Sequence, residues 1–80
     1  MIVELHRDDR IVVIDAVYCS FGEKNGHEFS LTVESENGNF GGDYNASKIE
    51  KFTIRANDGT LLWVGERNKN RRMIWGQEGR

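Results

Sequence analysis

Two dipeptides, Asn25-Gly26 and Asp58-Gly59, each sit between short runs of Val, Ile, Thr and aromatic residues. Asn-Gly and Asp-Gly accept the left-handed backbone of tight hairpins, and β-branched or aromatic runs on either side form strands. The same texture continues along the chain. Most of the chain's fifteen Val, Ile and Thr residues and eight aromatics gather near 2–6, 10–21, 27–35, 50–57, 60–66 and 71–75, with no proline among the 80 residues. No segment sustains a 3.6-residue apolar period, so long helices are excluded. At most one short helical turn fits, over 44–50, with Asn45 or Ser47 as its cap. The expectation is all-β: one domain over 1–80, a small antiparallel barrel or strongly curved sheet of five to six strands.

Loop length fixes register, and register decides which side chains share a face. A two-residue Asn25-Gly26 turn sets Glu23 against Glu28, a like-charge pair. A three-residue loop, Lys24-Asn25-Gly26, instead pairs Phe21 with Phe29, Cys19 with Leu31 and Val17 with Val33. In the next hairpin a two-residue Asp58-Gly59 loop puts Ile54 opposite Trp63. A three-residue Asn57-Asp58-Gly59 loop puts Ile54 opposite Leu62 and Phe52 opposite Val64, which makes the cleaner apolar layer. In the third, the loop Asn68-Lys69-Asn70 with Asn70 left-handed sets Trp63 against Trp75. These registers predict one face carrying Phe52, Ile54, Leu62, Val64 and Ile74. The opposite face carries Lys51, Arg55, Leu61, Trp63, Arg67, Arg71, Met73 and Trp75.

That second face is the leading candidate site. Indoles flanked by guanidinium groups stack, accept cations and fill pockets, and Trp and Arg concentrate at binding hot spots. The competing reading is that other strands cover the face and make the indoles core. Residues 11–17 are apolar on both sides of their strand, which implies cover on both. A second candidate is the stretch 34–45, where Phe40 and Tyr44 stand among Gly, Asn and Ser. This is the vocabulary of adaptable binding loops, or of a lid folded over the end of a barrel.

Chemistry-bearing patterns are sparse. His6, Cys19 and His27 have no metal-ligand spacing, and the acidic residues of 34–45 lack the periodicity of a calcium loop. Asp8, Asp9 and Asp15 could lie near His6, but no nucleophile-base-orienter set or phosphate-cradling glycine pattern accompanies them. Asp15, on the side that pairs toward Leu31 and Val33, is expected at the sheet margin or hydrogen-bonded. No catalytic residue, metal or cofactor is assigned, and the chain is read as a non-enzyme.

The net charge is −2, which disfavours a dedicated duplex-DNA binder. The balance is uneven: −5 over residues 1–60 and +3 over 61–80. No apolar run is long enough to span a membrane, and a lone Cys19 without a secretory leader fits the cytoplasm. The sequence-level expectation is a non-catalytic protein that binds another protein, as an inhibitor or adaptor, for instance a phage-type inhibitor of a host complex. Its contacts are assigned to Trp63, Trp75, Arg55, Arg67, Arg71, Phe40 and Tyr44. The alternatives are a small-barrel single-stranded nucleic-acid binder, in which the indoles stack bases, and an acidic mimic of nucleic acid. Exposed edge strands leave homodimerisation open.

Overall fold

The computed structural model of the protein describes residues 1–24, 28–35, 41–44 and 48–77. These form seven antiparallel strands: β1 (Ile2–Arg7), β2 (Ile11–Lys24), β3 (Glu28–Ser35), β4 (Gly41–Tyr44), β5 (Ile49–Arg55), β6 (Leu61–Arg67) and β7 (Met73–Gln77). Their order across the sheet is β4-β3-β2-β1-β5-β6-β7. The six strands legible in the sequence are all present. The seventh, β4, lies in the stretch read as a loop and pairs Leu31 with Tyr44 and Glu34 with Gly41. The short helical turn expected over 44–50 falls partly on residues 45–47, outside the described residues; of the rest, Lys48 is in 3-10 conformation, Tyr44 ends β4, and Ile49 and Glu50 already belong to β5.

The long strand β2 joins the two halves of the sheet. Its residues 11–15 pair with β1, and from Ala16 onward it pairs with β3. A β-bulge at Val17 marks the handover, since Ala16 faces Ser35 whereas Tyr18 faces Glu34. Two further bulges place Glu50 as an extra residue in β5 and Leu62 as an extra residue in β6. Bulges bend strands and increase their twist. Here the sheet curls until strands far apart in its order touch: Phe29 of β3 lies 5.5 Å from Trp75 of β7, ring centre to ring centre, and Phe21 of β2 lies 5.3 Å from Trp63 of β6.

The curl encloses the core on its concave side. Val3, Leu5, Leu31, Val33, Ile49 and Phe52 are fully buried there. Every second residue of β1 contributes, as the period of two requires: Val3 and Leu5 point in, while Ile2, Glu4 and His6 point out.

The bulges also correct the expected faces. Near the turn the second hairpin has the anticipated three-residue loop: Gly59 is left-handed (φ 94°), its N–H donates to the Ala56 carbonyl, and the Ala56 N–H donates to that of Thr60. The extra residue Leu62 then shifts the ladder, so Ile54 lies opposite Trp63 and Phe52 opposite Gly65. Trp63 therefore shares the inner face with Phe52 and Ile54, while Val64 and the exposed Ile74 face outward. In the third hairpin the loop moves along by one residue. Arg71, not Asn70, takes the left-handed conformation (φ 65°), because the Asn68 side chain fixes the turn by accepting from the Asn70 and Arg72 amides. Trp63 thus faces Gln77, and Gly65 faces Trp75. In the first hairpin the ladder slides by two residues, pairing Phe21 with Leu31 and Cys19 with Val33, and leaves the same side chains on the same face. Val17, expected opposite Val33, is instead the bulged residue and is exposed.

Candidate interaction surface

Trp63 and Trp75 are half-buried and packed against the core. Phe21 is their common neighbour, meeting Trp63 at 72° and Trp75 at 90°, edge to face. That is a favoured geometry for aromatic quadrupoles. The rings thus close the seam between β2–β3 and β6–β7.

The arginines assigned to the same face separate. Arg55, adjacent to Ile54, lies on the opposite side of the sheet from Trp63 and donates to the Gly59 carbonyl of its own hairpin. Arg67 donates through Nε to the Ile49 carbonyl and through a terminal nitrogen to the Arg71 carbonyl, both at 2.9 Å. Arg71 forms a two-pronged pair with Glu50 at 2.6 and 2.5 Å. The bulge places Glu50 out of the alternation of β5, within reach of the β6–β7 loop. The guanidinium of Arg71 holds the Glu50 carboxyl below its ordinary range, and Glu50 in turn raises Arg71. Burial lowers Arg67, helped by the neighbouring Arg71 charge. Arg72 reaches Glu23 at 3.3 Å and bridges the mouth of the curl from β2 to the start of β7. These cations are committed to holding the structure together.

Phe40 lies outside the described residues. Tyr44 is placed by its backbone, at the end of the short strand beside β3.

The convex side of β2 presents what the sequence reading missed. Ile11, Val13, Val17 and Tyr18 are 56%, 60%, 58% and 50% exposed. The cover expected on both faces of this strand is present on one only. Val17 and Tyr18 both point outward because the bulge makes two successive residues share a side. Asp15 lies between them and Val13, exposed and opposite Ile2, rather than on the Leu31 and Val33 side. The bulge reverses the parity between residues 15 and 19. The stripe from Ile11 to Tyr18 runs roughly 23 Å at the usual rise per residue. A signal for it existed in the sequence: the double-sided apolar character of 11–17, read as core when half of it faces solvent.

Reactive chemistry is scarce among the described residues. His6 Nε2 lies 2.6 Å from Glu4 Oε1 on the outer face, away from Asp15. Burial pushes the Cys19 thiol up to about 11, so it is protonated and a poor nucleophile at neutral pH. No three His, Cys, Asp or Glu side chains among the described residues converge in a way that could hold a metal ion. No helix among them is long and apolar enough to cross a membrane.

Fold and surface together define a small, open, curled all-β domain with a half-buried aromatic seam and an apolar stripe on its convex side. No protein-family model matches the chain, and no curated protein or solved structure matches it either.

Proposed function

We propose that this is a non-catalytic protein whose task is to bind another protein, as an inhibitor or adaptor, and that the convex side of β2 makes the contact. The observation that carries the reading is the row of four apolar side chains, Ile11, Val13, Val17 and Tyr18, each at least half exposed on one strand. Exposed apolar stripes of this kind mark interaction sites more often than idle surface, and tyrosine is suited to them because its ring is apolar and its hydroxyl wet. The nucleic-acid alternative draws less support. It needs free indole faces and free guanidinium groups, whereas Trp63 and Trp75 pack on Phe21 and Arg71 is clamped by Glu50. A reducing compartment, the cytosol, suits a chain with a single cysteine.

The test is affinity capture from the native host with wild type, Val13→Asp and Ile74→Asp, each checked by circular dichroism. The reading expects a protein retained by wild type and Ile74→Asp and lost by Val13→Asp with its fold intact. Retention by all three contradicts it. So does capture of nucleic acid whose affinity falls log-linearly with salt.

A further inference from the structure

The charges of the chain are sorted by strand. Residues 11–47, which hold β2, β3 and β4, carry six acidic side chains against Lys24 alone, a balance of −5. Residues 48–80, which hold β5, β6 and β7, carry eight cations against four acids, a balance of +4. In the sheet β2, β3 and β4 lie on one side of β1, and β5, β6 and β7 on the other. The asymmetry along the sequence thus becomes an asymmetry across the molecule. Opposed fields on two sides of a small domain sort partners by sign before any contact forms.

The apolar stripe lies wholly in the acidic part. Asp15 stands within it, between Val13 and Val17, and is exposed. Glu34 is exposed too and sits across from Tyr18, on the outer side because its neighbour Val33 points into the core. Residues 11–23 and 28–35 contain no lysine or arginine. At the Ile11 end, Arg10 is outweighed by Asp8 and Asp9 of the same turn. Toward β1, Val13 has Glu4 opposite, and the first outward lysine, Lys51, is in β5, two strands away. The ion pairs among the described residues engage Glu4, Glu50 and Glu23, and none reaches Asp15 or Glu34. Two carboxylates without a counter-charge therefore accompany the four exposed apolar side chains.

We propose that the partner covering this stripe presents a basic surface, with lysine or arginine side chains set around an apolar centre to meet Asp15 and Glu34. The inference rests on the partner reading above and adds the chemistry of the partner. A neutral or acidic cover would desolvate both carboxylates and give them no counter-charge. A basic cover pairs them, speeds association and rejects acidic competitors. The same sign excludes other occupants. Nucleic acid and anionic lipid bring like charge. A second copy docked stripe to stripe sets Asp15 and Glu34 against the same carboxylates.

NMR titration of the intact chain with three short amphipathic peptides tests this: leucine with lysine, leucine with serine, and leucine with glutamate. The lysine peptide should shift the methyl signals of Ile11, Val13 and Val17 and the ring signals of Tyr18. The serine peptide should act on them more weakly, and the glutamate peptide should leave them in place. The double variant Asp15→Asn with Glu34→Gln, both at exposed positions, should lose about fivefold in affinity for the lysine peptide at low salt. Wild type should lose a similar factor as salt rises from about 20 mM to about 500 mM, and the double variant much less. If the serine peptide binds the stripe as tightly as the lysine peptide, or the double variant binds like wild type, the stripe is a contact surface and the basic partner is refuted. Shifts of the same signals with protein concentration alone would put a second copy there and overturn it as well. If no peptide moves them, the inference falls together with the reading beneath it.

Discussion

The ring of Phe52 lies directly over Gly65, its partner across the β5–β6 ladder. A methyl group built on Gly65 would sit 2.2 Å from Phe52 Cε1 and 2.7 Å from Cζ. Phe52 is fully buried and stacked on Phe29 at 5.4 Å, so it has nowhere to retreat. Gly65→Ala should therefore cost about 2–3 kcal/mol by overpacking. Gly22→Ala, with nothing within 4 Å of the added carbon, should be close to neutral. Urea unfolding of the two variants checks this, and equal losses would contradict it.

This contact shows where the sequence could and could not be read. Turn residues and β-branched runs located six strands and the class of the loops at 57–59 and 69–71. Parity arguments then carried side chains correctly only as far as the next bulge. Leu62 and Val17 are ordinary strand residues, and nothing in their immediate neighbours demands an extra residue there. The demand is tertiary: the sheet must curl enough for Trp63 and Trp75 to reach Phe21. Gly65 held a usable hint, because a glycine inside an apolar strand often marks a close approach. Strand β4 was hidden by its Gly-Gly start, a composition that favours a loop.

The Glu50–Arg71 pair should give the fold an acid-sensitive component. The folded carboxyl titrates below its ordinary value of 4.5. Its contribution is thus present in full above that value and is lost as pH falls through the lower folded value. Glu50→Gln should lower Tm at neutral pH and reduce the decline of Tm between roughly pH 5 and pH 3. Thermal melts of both proteins across that range provide the check, and parallel curves would refute the pairing.

Removing an indole should injure the fold before it injures any contact. Trp75→Ala opens the seam between Phe21 and Phe29 and should cost about 2–4 kcal/mol. Val13→Asp, on the exposed side of β2, should stay within about 1 kcal/mol of wild type. Chemical denaturation followed by circular dichroism separates the two. A Trp75→Ala variant as stable as wild type would place the ring outside the core.

Cys19 should behave as a sheltered thiol. Its raised pKa and its packing beside the core predict slow reaction with a thiol-specific reagent at pH 7. The rate should rise sharply once urea exposes the chain. Fast reaction of the native protein would show that the β2–β3 face is open at this point.

The central claim is that bulges turn the indoles inward and leave the apolar side chains of β2 facing out. The most direct measurement is NMR signal attenuation by a soluble paramagnetic probe. The account predicts strong attenuation of the Ile11, Val13 and Val17 methyl groups in dilute protein and clearly weaker attenuation of the Trp63 and Trp75 rings. Strongly attenuated indoles beside protected Val13 methyls would contradict it.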